Sequence, residues 1–87
     1  MAYSVRLTRA AEKELRRLSE DGQRRVRARI DALEEDPRPA GVRKLGGRTE
    51  DWRIRVGPHR IVYRIRDEVL EVVVIHAGHR REVYRRG

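Results

Sequence analysis

The apolar residues of this 87-residue chain follow the period of a strand, then of a helix, then of a strand again. The segment from Tyr3 to Leu7 alternates apolar and polar residues, which predicts a first short strand. From Arg9 the spacing becomes helical, with Thr8 as the N-cap and the charged side chains, acids included, on the exposed face. The apolar face of this helix carries Ala11, Leu15 and Leu18.

A second amphipathic helix is predicted after a break at Asp21-Gly22. It extends to Asp36, because the residue before Pro37 is disfavoured in the helical region. Two amphipathic helices separated by a short break predict an antiparallel hairpin. The apolar positions of the second helix are Val26, Ile30 and Leu33.

The second half of the chain follows the period of a strand. Pro37 to Gly41 forms a connector, and the last strand is apolar on both faces, which predicts a central strand ended by Gly78. The predicted strands are Val42 to Leu45, Trp52 to Val56, His59 to Arg66 and Val69 to Ala77. The predicted turns are Gly46-Gly47, Gly57-Pro58 and Asp67-Glu68, and residues Arg80 to Arg86 form a short helical or extended tail.

Strands and helices that do not alternate predict an α+β fold. The expected arrangement is an N-terminal strand and a two-helix hairpin packed on one face of a small, mainly antiparallel sheet, followed by a short C-terminal tail or helix. At this length the chain forms a single domain, residues 1–87, with one modest core.

The net charge of the chain indicates the class of its binding partner. The chain has 22 basic and 14 acidic residues, a net charge of +8 and a pI of about 11.1. A high genomic GC content would explain why arginine replaces lysine, but it does not explain the net positive charge. The composition therefore predicts a polyanion or an acidic protein as partner.

Several classes of site and location are not expected. The chain has no cysteine, so a disulfide framework and a thiolate metal site are excluded, and its 3 histidines form no metal-ligand pattern. No metal and no other cofactor are expected. The N-terminus lacks the apolar run of a signal peptide and no stretch has transmembrane length, which predicts a soluble cytoplasmic protein with no membrane partner.

The candidate functional residues are the arginines on alternate positions of the strands. If Trp52 and its even-numbered neighbours face the helices, Arg53 and Arg55 project from the open face of the sheet. The same alternation places Arg60 and Arg64 on that face of the next strand. One interpretation is a solvated basic surface. The other is an anion site, because cations on adjacent strands repel each other unless an anion neutralises them.

The histidines and the tryptophan each allow two interpretations. His76 ends an apolar run and is interpreted as structural, whereas His79 follows a turn glycine and is the better candidate for carrying a proton. His59 lies at a strand start and is interpreted as exposed. Trp52 is interpreted as core at the junction of sheet and helices, with base stacking as the alternative.

The residues of these strands resemble the RelE/ParE superfamily of bacterial toxins, and within it the RelE-like ribosome-dependent mRNA interferases. The resemblance covers almost the whole chain. It is carried by Lys44 to Gly47, Trp52 to Val56, His59 to Arg64, His79-Arg80 and Val83-Tyr84.

The resemblance implies a RelE-like fold and the toxin of a type II toxin–antitoxin pair that cleaves mRNA in the ribosomal A site. It implies that the catalytic residues are Arg53, Arg55, Arg60, Arg80 and Tyr84. Since RelE has lysines where this chain has Arg53 and Arg55, and arginine does not lose its proton, His79 is the hypothesised general base. The other residues expected to contact RNA are Arg43, Lys44, Arg48, Arg64 and Arg81.

The implied partners are a cognate antitoxin of acidic or mixed charge that folds on binding, the ribosome and its mRNA, with operator DNA contacted only through the antitoxin complex. Two alternatives stay open: a ParE-like toxin that inhibits DNA gyrase without nuclease activity, and an inactive relative that only binds its antitoxin.

Overall fold

The structure, a computed structural model, describes residues 2–45 and 51–79, the last of these by its backbone only. The helices are α1 (Arg9–Arg16) and α2 (Glu20–Ala32), which follow the first strand directly. The strands are β1 (Ser4–Leu7), β2 (Arg43–Lys44), β3 (Asp51–Val56), β4 (His59–Arg66) and β5 (Glu71–His79).

The five strands form one sheet in the order β1-β5-β4-β3-β2. Strands β2 to β5 make an antiparallel meander, whereas β1 pairs in parallel with β5, from Ser4 opposite Glu71 to Leu7 opposite Val74. The helices cover one sheet face, with α1 against β5 and α2 against β4 and β3. The predicted α+β fold with both helices on one face is confirmed.

The core lies between the helices and this covered face of the sheet. Alternation along β4 directs Ile61, Tyr63 and Ile65 into the core. Each fully buried Leu or Ile stabilises the fold by roughly 1.5–3 kcal/mol. The other buried residues of this cluster are Ala11, Leu15, Val26, Ile30, Leu33, Ile54, Val72, Val74 and Ala77.

The helix boundaries differ from those predicted. Thr8 caps α1 as expected, accepting a hydrogen bond from the Ala11 N–H at 3.1 Å. The break between the helices lies at residues 17–19, not at Asp21-Gly22, because Ser19 caps α2 through the Gly22 N–H at 3.0 Å. Asp21 and Gly22 therefore belong to the first turn of α2, where an acid is favoured by the helix dipole.

The end of α2 and the last two strands also differ. α2 ends at Ala32 and continues as turns to Glu35, short of the predicted Asp36. β5 continues through Gly78 to His79, so this glycine does not end the strand. The middle strand of the sheet is β4, while β5 lies between β4 and β1. The turn before β5 is a short 3-10 segment, Asp67–Val69.

None of the helices in the described part of the chain is long and apolar enough to cross a membrane.

Candidate functional site

Cross-strand pairing places four arginines on the open face of the sheet. Arg43 lies opposite Arg53 in the β2–β3 ladder, and Arg55 lies opposite Arg60 in the β3–β4 ladder. Residues directly opposite each other in an antiparallel pair share a face, so these side chains are neighbours. Together with Gly41 they line a cavity of about 380 Å³.

Arg60 is the buried member of this group, with 4% of its surface exposed. In the sheet it lies between Arg55 on β3 and Gly78 on β5, and the glycine adds no side chain on that side. Burying a guanidinium costs free energy, which its interactions must offset. A buried cation beside three others is typical of a site that receives an anion.

The acids near this face pair with arginines elsewhere. Asp51 binds Arg64 at 2.9 Å, and Glu71 binds Arg6 at 3.1 Å. Glu71 also contacts Arg66 at 3.3 Å. The described lining of the cavity contains four guanidinium groups and no carboxylate, which is a composition that attracts anions.

Gly41, at the cavity rim, is required by the backbone conformation. Its φ is +89°, in the region that residues with a side chain rarely adopt. The space around it is open, since no atom lies within 4 Å of the place that a Cβ would take. From the sequence, this glycine was identified only as the end of a connector. Its position just before a short predicted strand was the signal that could have indicated its place at the site.

The connector before Gly41 is held at two points, one on β4 and one on the turn that follows it. The buried Tyr63 hydroxyl donates to the Pro37 carbonyl at 2.7 Å, and burial raises the pKa of Tyr63 to about 12. Arg38 binds Asp67 at 2.8 Å, and Asp67 also accepts from Tyr3 at 2.7 Å. These hydrogen bonds, first that from Arg38, lower the pKa of Asp67. The cavity rim therefore has a fixed position relative to β4.

A family model for the ParE toxin of type II toxin–antitoxin systems matches residues 5–84. The chain belongs to the RelE/ParE toxin superfamily. It is the toxin component of a type II toxin–antitoxin system.

Individual relatives agree with this assignment. The toxin is 33% identical over 94 residues to Toxin RelG of Mycobacterium tuberculosis, covering 99% of this chain and 100% of the relative. It matches a chain of the toxin–antitoxin complex RelBE2 from the same organism with a TM-score of 0.83 at 28% identity, covering 92% and 100% of the two chains. The isolated E. coli RelE toxin matches with a TM-score of 0.78 at 30% identity, covering 98% and 94%.

The structure brings only part of the predicted site of the toxin together. Arg53, Arg55 and Arg60 line the cavity, joined by Arg43, which was expected only to contact RNA. Two other residues expected to contact RNA lie away from it: Lys44 pairs with Trp52 and lies 5.9 Å from its ring, and Arg64 pairs with Asp51. Arg48, Arg80, Arg81 and Tyr84 lie outside the described residues, as does the side chain of His79.

The other two histidines of the toxin have structural contacts. The Nδ1 atom of His76 lies 3.1 Å from a Glu14 carboxylate oxygen, in agreement with a structural role. His59 is not simply exposed, because its Nε2 atom lies 3.0 Å from where a Cβ on Gly22 would be, so its ring packs on α2. Within residues 2–45 and 51–79, no three acidic or histidine side chains are grouped as metal ligands.

Glu14 lies in the core, contrary to the prediction. Its side chain was expected on the exposed face of the first helix, but it is 2% exposed and accepts a hydrogen bond from the Ala77 N–H at 3.3 Å. The signal was present in the spacing. Position 14 follows Ala11 by three residues and precedes Leu18 by four, so it falls inside the apolar stripe.

Proposed function

We propose that this toxin is a ribosome-dependent endoribonuclease that cleaves mRNA in the A site. The observation that carries the proposal is the buried guanidinium of Arg60 among Arg43, Arg53 and Arg55 around one cavity. The similarity to RelG and to RelE over nearly the whole chain supports it.

In the proposed reaction the RNA supplies its own nucleophile. The 2′-hydroxyl oxygen attacks the adjacent phosphorus, the bond from phosphorus to the 5′ oxygen breaks, and the products are a 2′,3′-cyclic phosphate and a 5′-hydroxyl. Negative charge grows on the phosphoryl oxygens in the transition state, where guanidinium groups stabilise it. Arg60 is proposed as the principal donor, since its buried guanidinium is less screened by water than an exposed one.

The 2′-hydroxyl must lose a proton, and the departing 5′ oxygen must gain one, which we assign to a ribosomal group or water. Arginine does not release its proton, so Arg53 and Arg55 are proposed to bind and neutralise the phosphate. His79 is the proposed base that accepts the proton of the 2′-hydroxyl, with Tyr84 or a ribosomal group as alternatives. Arg80 is proposed to complete the clamp with Arg60. Full cleavage by a His79→Gln variant on ribosomes would remove the assignment of His79.

The proposed dependence on the ribosome is supported by the kind of groups in the described part of the site. The cavity is lined by arginines that neutralise charge but do not by themselves align the 2′-hydroxyl with phosphorus. Ribosomal RNA would hold the mRNA in the reactive geometry, and positioning of this kind contributes several kcal/mol or more to a barrier.

The proposed protein partner is a RelB-type antitoxin. The RelBE2 complex of M. tuberculosis and the intact RelBE complex of E. coli, which matches at 31% identity with a TM-score of 0.75, contain such a partner. For this toxin we propose an acidic or mixed-charge segment that folds as it binds, because the chain carries a net charge of +8.

Inhibition of DNA gyrase is the second candidate, and the ParE name of the matching family model favours it. Purified toxin is added to ribosomes programmed with a defined mRNA, and in parallel to gyrase with relaxed plasmid. The expected result is a cut at the A-site codon with normal supercoiling. Intact mRNA together with blocked supercoiling would replace the nuclease by the gyrase inhibitor.

A further inference from the structure

Where β1 ends, Thr8 and the Glu14 side chain of α1 continue the hydrogen bonding along the outer edge of β5. β1 pairs with β5 only as far as Val74. Beyond that point the Thr8 hydroxyl donates to the Ile75 carbonyl at 3.1 Å, and the Ala77 N–H donates to a Glu14 carboxylate oxygen at 3.3 Å. Two polar side chains thus make the hydrogen bonds that a longer β1 would have made.

Stability alone is a poor explanation for Glu14 at this place. Its side chain is 2% exposed, inside a stripe where a leucine would bury apolar surface against β5. A buried carboxylate has a desolvation cost that hydrogen bonds must offset. The same oxygen that accepts from Ala77 also lies 3.1 Å from Nδ1 of His76, so both contacts fix consecutive residues of one strand.

The strand segment that Glu14 holds leads directly to the arginine cavity. Gly78 follows Ala77 and pairs with Arg60, and His79 pairs with His59. Arg80 comes next in the sequence. α1 lies on the covered side of the sheet, and Glu14 is absent from the described lining of the cavity, so its hydrogen bond to Ala77 acts on the cavity through the backbone of β5.

We infer that Glu14 is a positioning residue, which sets the end of β5 against Arg60 by holding the Ala77 peptide. The inference rests on the proposed nuclease function, because the geometry it fixes is that of the β5 backbone beside Arg60, the proposed principal donor to the phosphate. Glu14 touches no reacting atom. Its removal is expected to lower the rate of cleavage and not the binding of programmed ribosomes.

The test compares three variants with the wild-type toxin. Glu14→Met removes the acceptor oxygen and replaces the carboxylate with an apolar side chain of similar length, which a buried site tolerates. Glu14→Gln keeps one carbonyl oxygen for the Ala77 N–H. Glu12→Met is the matched control on the same helix, since the Glu12 side chain is exposed and its ion pair, at 3.9 Å, is with the exposed Arg16. Amide hydrogen exchange at Ala77 is measured together with kcat and KM on programmed ribosomes.

For Glu14→Met we expect a fall in kcat on the order of 10- to 100-fold with KM within about twofold of wild type, because misplacement by about 1 Å has effects of this size. Exchange at Ala77 should be about tenfold faster in the folded variant, as expected for the loss of one hydrogen bond. Glu14→Gln should recover most of both properties, and Glu12→Met should match wild type.

Wild-type kcat in Glu14→Met would overturn the inference, as would an equal loss of kcat in Glu14→Gln with unchanged exchange at Ala77. If Glu14→Met fails to fold, the Gln variant decides, because the inference requires its kcat and its exchange at Ala77 to stay near wild type together or to change together. A wild-type toxin that does not cut mRNA refutes the proposed function instead, and the exchange data still report whether Glu14 holds Ala77.

Discussion

Replacing Tyr63 by Phe should make the stability of the toxin less sensitive to alkali. The Tyr63 side chain is fully buried, and its hydroxyl donates to the Pro37 carbonyl at 2.7 Å. Removing the hydroxyl leaves that carbonyl without this donor, so we expect a loss of about 1–2 kcal/mol in the free energy of unfolding near neutral pH.

The pH dependence follows from the raised pKa of Tyr63. Burial raises it from 10.0 to about 12, so the folded state holds the proton more tightly than the unfolded state. The stabilisation is complete below pH 10 and is lost as the pH rises through 12. A shift of about two pH units corresponds to roughly 3 kcal/mol, half of it lost near pH 11. The wild-type advantage over Tyr63→Phe should therefore disappear at about pH 11.

The assay is urea unfolding followed by the fluorescence of Trp52, which is the only tryptophan of the chain. Both proteins are measured from neutral pH to about pH 11, and the difference between their free energies of unfolding is plotted against pH. Ile65→Val is the control, because Ile65 shares the buried face of β4 and does not titrate, so its effect on stability should not depend on pH. The test applies to the difference between wild type and Tyr63→Phe. A difference that stays constant up to about pH 11 would refute the reasoning.

Three further variants test the site and its support. Arg60→Lys keeps the charge but loses the planar fork, so cleavage on ribosomes should fall on the order of a hundredfold or more, while Arg25→Lys, paired with Asp21 on α2, should cleave normally. Gly41→Ala places a residue with a side chain at a strained φ of +89°. It should lower the free energy of unfolding by roughly 1 kcal/mol, which calorimetry detects as a lower Tm. For Asp67→Asn, the loss of stability relative to wild type should shrink as the pH falls below 3.8 and through the lowered pKa of Asp67, measured by urea unfolding at acid pH.

The local parts of the fold were predictable from the sequence, and the non-local parts were not. Alternation along His59–Arg66 has a period of two, so the covered and open faces of β4 follow from the residues themselves. The parallel pairing of β1 with β5 joins residues 67 apart, such as Ser4 and Glu71, and no local pattern specifies it. The predicted break at Asp21-Gly22 failed because a serine cap outweighs a glycine within the first turn.

The candidate site also has a local part that the sequence predicts and a non-local part that it does not. Strand alternation and a two-residue turn at Gly57-Pro58 bring Arg55 beside Arg60, and both features can be read from adjacent residues. Arg43 joins the cavity only through the register of β2 on β3, which depends on a connector held by Tyr63 and Arg38. The prediction that Glu14 is exposed was wrong because it relied on residue type alone. This carboxylate occupies a core position, where it accepts a hydrogen bond.

Among the described residues, the acids of the open face pair with arginines outside the cavity. On the open face, Asp51 and Glu71 pair with Arg64 and Arg6, while the described lining of the cavity contains four arginines and no acid. These four guanidinium groups attract a polyanion to the cavity. A ligand that binds only the folded state raises its stability, so RNA or an acidic antitoxin segment on this face should stabilise the toxin as it occupies the site.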